Sequence, residues 1–186
     1  MLTNEKYPAL VWLDLEMTGL DPESERIIEI ATVVTNSDLN QLIEGPNLII
    51  NQPEEFIEGM DAWNVDQHGN SGLIDKVRIS KMSIKEAEQL TLQFLKQYTE
   101  AGKSPLCGNS ISHDRKFLSL YMPELENFFH YRNVDVSSIK EVAKRWFPNS
   151  LESFRKEGGH RAMVDVLESI EELKYYKRSL FKDLNK

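Results

Sequence analysis

Apolar residues crowd the run Ala9–Leu20 (ALVWLDLEMTGL) and are interrupted by two acids. Pro8 precedes the run and a Thr-Gly turn closes it, so its β-branched and aromatic residues predict a buried strand. Arg26–Thr35 (RIIEIATVVT) repeats the pattern and predicts a second strand; Asn36–Asn40 (NSDLN) reads as a turn, and Leu42–Ile50 as a third strand in a meander. From Pro53 to Ser80 the pattern breaks into short helical pieces that contain Trp63 and His68. Ser83-Ile-Lys-Glu86 has the spacing of a capping box and predicts a helix to about Tyr98. Beyond it, Pro105–Asn109 reads as a short buried strand, Ser112–Tyr121 as a helix and Tyr131–Val136 as a strand. Ser138-Ile-Lys-Glu141 then predicts the cap of a helix ending near Phe147, and Gly158-Gly159 precede a last helix to about Arg178.

A meander followed by alternating helices and strands predicts an α/β fold, with a mixed sheet flanked by helices. Neither repeats nor a linker divide the chain, so the expectation is one domain over residues 1–186, ordered from about 8 to 180. In such folds the first strand is commonly central and sites gather at its carboxyl end.

Composition narrows the classes. The 40% hydrophobic and 28% charged content are those of a soluble globular protein, and no apolar stretch approaches a membrane span. A single cysteine, Cys107, excludes an internal disulfide and fits a reducing cytoplasm. Clustered Cys and His ligands for zinc are absent from the sequence. The net charge of −8 is unevenly spread: residues 1–102 hold 7 basic and 18 acidic side chains, while 103–161 hold 10 and 7. That balance excludes a broad basic face gripping long duplex, but it suits a short substrate held at a few phosphates.

The two acids of the first strand, Asp14 and Glu16, are i and i+2 and therefore point to one face. Two like charges held together repel, and a divalent cation bound by hard oxygens is the simplest relief. Taken alone, the pair fits a solvated strand edge as well. Asp114 opens a helix, where an acid also complements the helix dipole. Asp165 lies on the last helix and His160 five residues before it. Were both helical they would stand about 140° apart, so the glycines place His160 at the entrance to the helix.

The order D-x-E on a first strand, Asp after a middle strand, and H-x₄-D at a final helix resembles the exonucleases that carry four acidic residues and a histidine. The blocks DLEMTGLDP, RIIEIAT, GNSISHDRKFL, MPELE-x-FFHYR-x-VDVSS-x-K and HRAM-x-D-x-x-ESI extend the likeness along nearly the whole chain, to the oligoribonuclease family. This resemblance implies a ribonuclease-H-like fold and 3′-to-5′ hydrolysis of very short oligoribonucleotides, especially dinucleotides and among them pGpG, to 5′-mononucleotides. It implies two Mg²⁺ or Mn²⁺ ions on Asp14, Glu16, Asp114 and Asp165, with Asp14 bridging, and His160 taking the proton of the attacking water. Leu20 is similar to the family's wedge between the bases, and Trp63, with His68 close by, to its platform for the 3′ base. Ser110, His130, Tyr131 and Arg132 resemble the cap on the 5′ phosphate, the last three coming from the partner in a homodimer; Tyr131 is also a candidate to assist catalysis. Two positions depart: Val164 stands where relatives commonly have Asp, and His113, a candidate substrate contact near Ser110, where many have Gln. The rival reading is a general single-strand DNA or RNA exonuclease with the same acids and a longer basic groove.

Overall fold

The alternation of β1 (Leu10–Met17) organises the architecture. The computed structural model describes residues 7–148 and 161–181, and β1 is the central strand of a five-stranded sheet. With β2 (Ile27–Thr35), β3 (Leu42–Ile49), β4 (Pro105–Gly108) and β5 (His130–Asp135), the order is β3-β2-β1-β4-β5. Short connections make β1, β2 and β3 antiparallel neighbours, whereas β4 and β5 run parallel to β1 after helical crossovers. The mixed α/β sheet expected from the sequence is thus observed, with its first strand central. Among the described residues no helix is long and apolar enough to cross a membrane.

The two faces of β1 bury different layers. Val11, Leu13 and Leu15 pack with α4 (Ile84–Leu95), α5 (Ser112–Tyr121) and α6 (Pro123–Phe128). Trp12 packs on the other face with Ala31 and Val33, under α7 (Val136–Trp146) and α8 (Ala162–Leu180). Asp14 and Glu16 continue the Trp12 row, so the row turns from core to carboxylate where β1 nears its end. A smaller cluster around Ile28, Ile57 and Leu73 seats α1 (Glu54–Glu58), α2 (Ala62–Asn70) and α3 (Leu73–Ile79).

Helix starts were legible where the cap is local. The capping box forms: Ser83 Oγ accepts from the Glu86 amide at 3.2 Å, and the Ser83 amide donates to Glu86 Oε2 at 2.9 Å. The cap expected at Ser138 is corrected. α7 starts at Val136 and is capped by Asp135, which accepts from the Ser137 amide at 3.0 Å, because the aspartate that ends β5 reaches the orphan amides first. α6 went unanticipated because its cap is distant: buried Glu88 of α4 accepts from the amides of Glu124 and Leu125 at 2.7 and 3.1 Å.

Gly108, the last residue of β4, brings the β4–α5 turn against β1. A Cβ there would lie 2.9 Å from the Leu13 carbonyl oxygen and 2.9 Å from Ile111 Cδ1. Overpacking of this kind costs about 1–3 kcal/mol. Gly108→Ala should therefore lower the melting temperature by roughly 2–12 °C, as checked by calorimetry.

Candidate active site

Two elements deliver one cluster, and a third brings Asp114 against the same strand. Carboxylate oxygens of Asp14 and Glu16 on β1 and of Asp165 on α8 all lie within 4.8 Å of one another, each residue half-buried. Asp165 faces them because it sits in the first turn of α8, its amide donating to the Arg161 carbonyl at 3.1 Å. Asp114 comes from the other side of the sheet, in the first turn of α5. It is buried, and its Oδ1 accepts from the Leu15 amide at 3.0 Å, which fixes it to the backbone between Asp14 and Glu16. The structure thus joins three of the expected ligands directly and holds the fourth on the β1 backbone beside them. His160 lies outside the described residues.

The crowding has an electrostatic signature. Burial is the main cause that pushes the Glu16 carboxyl up to about 8, and the charges of Asp165, Glu29 and Asp114 add to it while Arg161 opposes them. Burial also raises Asp114 well above the usual carboxylate range, against the pull of the Leu15 amide. Hard oxygen donors that repel one another are the donor set for a divalent cation, so the residues present fit a metal site.

The surrounding residues hold this arrangement. His68 is 2% exposed; its Nε2 donates to the Met17 carbonyl at 2.9 Å and its Nδ1 lies 3.9 Å from Glu16 Oε2. It therefore grips the end of β1 from α2. Asn109 donates to Ser169 Oγ at 2.7 Å and to Glu172 at 3.2 Å, tying the β4–α5 turn to α8. Lys140 of α7 pairs with the same buried Glu172 at 3.3 Å.

The candidate substrate contacts divide between two ends of the sheet. Leu20 is 75% exposed, and its loop is braced by contacts of Thr18 with Glu25 and by Tyr121, whose hydroxyl lies 2.7 Å from the Pro22 carbonyl. Trp63 on α2 is 60% exposed. Ser110 adopts φ 52° at the carboxyl end of β4, its amide donating to Asp135 Oδ1 and Ser137 Oγ, each at 3.0 Å. His113 lies on α5 with its ring edge toward Phe117; among the described residues its buried Nε2 has no hydrogen-bond partner. Val164 is exposed on α8 and so does not join its neighbour Asp165 in the cluster.

His130, Tyr131 and Arg132 lie at the opposite, amino end of β5. His130 pairs with Pro105 and Asn133 with Leu106, so Tyr131 and Arg132 are extra residues bulging from the edge strand. Leu106 in turn pairs with Val11, three residues before Asp14. A rise of about 3.3 Å per residue and two strand spacings of about 4.8 Å separate the bulge from its own chain's carboxylates by well over 10 Å. The bulge is a built feature: the rings of His130 and Tyr131 stack at 4.4 Å, and Arg132 lies 5.2 Å from the Tyr131 ring. Arg115 donates to the His130 carbonyl at 3.1 Å and to the Tyr131 carbonyl at 3.4 Å, satisfying groups that the broken ladder leaves open.

Sequence reasoning missed Glu29, Arg161, Arg115 and Asn109. Glu29 carried a signal, an acid inside the apolar run RIIEIAT; the others lie in polar segments without a periodic mark.

A carboxylate cluster at the carboxyl end of a central strand, within a mixed sheet covered by helices, is an arrangement able to hold a divalent cation, and similarity to known proteins places it in a nuclease-type domain. The RNase T exonuclease model matches residues 11–173. Oligoribonuclease of Bordetella pertussis is 56% identical, over 98% of this chain and 99% of that protein. Oligoribonuclease of Escherichia coli O157:H7 is 57% identical over 93% of this chain and 96% of its own length. Among solved structures, E. coli exonuclease I in complex with a dA16 oligonucleotide matches with a TM-score of 0.71 at 15% identity. This likeness speaks for the fold; it covers 93% of this chain but spans only 41% of exonuclease I. The chain belongs to the oligoribonuclease family of exonucleases.

Linkage gives the cluster a pH dependence. A carboxyl raised by folding from 4.5 to about 8 contributes stability that is complete below 4.5 and lost as pH rises through 8. The metal-free protein should therefore melt at a lower temperature at pH 8.5 than at pH 6. Mn²⁺ binding displaces those protons, so it should raise the melting temperature more at the higher pH. Equal metal-induced shifts at both pH values would contradict this electrostatic reading.

Proposed function

We propose that the chain hydrolyses very short oligoribonucleotides from the 3′ end, dinucleotides above all, releasing 5′-mononucleotides. The convergence of Asp14, Glu16 and Asp165 carries the reading, in a chain 56% identical to oligoribonucleases. Asp14, Glu16 and Asp165, with Asp114 beside them, would hold two Mg²⁺ or Mn²⁺ ions. Bound there, such ions supply Lewis-acid stabilisation of charge on the phosphodiester oxygens and acidify water. The carboxylates orient the site, while burial of Asp114 and His68 keeps solvent from its floor. His160, directly before Arg161 in sequence, takes the proton of the attacking water, a task for a group that titrates near neutral pH. Leu20 separates the bases and Trp63 stacks on the 3′ base, a contact indifferent to base identity. Ser110 from the β4–α5 turn and His113 from the start of α5 contact the 5′ end.

The location of the bulge supports a homodimer. Tyr131 is 73% exposed on an edge strand and stands away from its own cluster, so His130, Tyr131 and Arg132 cap the 5′ phosphate in a second copy's site. Such a cap limits length, because a longer strand meets a wall where a channel would be, and a linear dinucleotide such as pGpG fits the space between cap and metals. Buried Cys107, the one cysteine in the sequence, suits the reducing cytoplasm.

Asp165→Ala should abolish hydrolysis in Mg²⁺ and in Mn²⁺, and Arg132→Ala should weaken dinucleotide binding severely. Each variant lacks a different half of the shared site, so hybrids of the two contain one complete site. Random co-assembly should restore about a quarter of wild-type activity, given two-fold symmetry. Hybrids that form and stay inactive would overturn the shared site.

A further inference from the structure

Glu29 is a fifth carboxylate at the cluster, and the proposed chemistry assigns it nothing. It stands on β2 directly opposite Glu16 in the antiparallel ladder, and opposed residues share a face. Its side chain is wholly buried. It is paired with a cation. Arg161 donates from Nε to Oε2 at 2.9 Å and from Nη2 to Oε1 at 2.7 Å, a bidentate fork, and the Ala162 amide donates to Oε2 at 3.3 Å. Arg161 is also the residue that precedes α8, and its carbonyl accepts from the Asp165 amide at 3.1 Å. One side chain thus neutralises the surplus acid and ties β2 to the turn that presents Asp165.

Both tasks bear on the reaction. A charged, unpaired carboxylate beside hard-cation ligands would draw cations toward itself and away from their working positions. A first turn of α8 released from β2 would let Asp165 drift, and a misplacement of about 1 Å in a catalytic array can cost about a hundredfold in rate. We propose that Glu29 and Arg161 form a positioning pair: Arg161 masks the fifth carboxylate and anchors the first turn of α8, so that Asp14, Glu16 and Asp165 meet in one cluster. This rests on the metal-dependent reading of that cluster.

The pair is testable with Arg161→Gln, Arg161→Lys, Glu29→Gln and the double glutamine variant, assayed well below each variant's melting temperature. Arg161→Gln should lower kcat by about tenfold or more while KM for a dinucleotide changes little. Calorimetric titration with Mn²⁺ alone should still show binding, because Asp14 and Glu16 stay fixed on β1 and the unmasked Glu29 adds its charge. Arg161→Lys keeps the cation but loses the fork, so it should recover part of kcat. The double variant should be no worse than the poorer single one, since both break the same contact. A kcat for Arg161→Gln within about twofold of wild type, or losses that multiply in the double variant, would overturn the pair. Mn²⁺ binding that collapses in Arg161→Gln would also overturn it. Asp14→Asn separates the premises: if that variant stays active the metal reading fails, and if it alone is inactive only the pairing inference fails.

Discussion

Mutual repulsion among carboxylates is the constraint on which the rest of the structure depends. Asp14, Glu16 and Asp165 are drawn within 4.8 Å although burial and like charge push Glu16 up to about 8. Such a cluster does not form by preference; the fold has to impose it. The central strand is fixed on both edges, by β2 and by β4, and α8 is fixed over it by Trp12, Ala31, Val166 and Ile170. The energy that holds the acids together therefore comes from apolar burial a few residues away, and a divalent cation is the natural ligand for such a donor set.

Around the cluster, each positioning contact answers the same problem from another element. His68 grips the Met17 carbonyl, Asp114 is tethered to the Leu15 amide, and Asn109 links the β4–α5 turn to α8. Arg161 pairs with Glu29, a neighbouring acid wholly buried in the sheet. Together these contacts make a rigid floor, on which preorganised charge does more than flexible charge could.

Periodicity exposed part of this and hid the rest. The i, i+2 spacing of Asp14 and Glu16 was legible because a strand alternates strictly, and the switch from Trp12 to Asp14 marks where its core row ends. The capping box at Ser83 was legible because both partners lie within one turn. Glu88 capping α6 and Glu29 holding Arg161 were not, since each joins segments far apart in sequence; 132 residues separate the second pair. The bulge at Tyr131 and Arg132 was equally hidden, because register against β4 is a property of two strands and not of one. The family likeness had assigned those residues to a partner's site; the register places them on the edge strand, at the end opposite their own chain's cluster.

The most direct measurement is hydrolysis of 5′-labelled RNAs from two to ten nucleotides long, with and without EDTA. A metal cluster capped by a second subunit predicts fastest turnover of the dinucleotide, a fall in rate as length increases, and loss of all activity in EDTA. Equal rates at every length, or activity that survives the chelator, would contradict it.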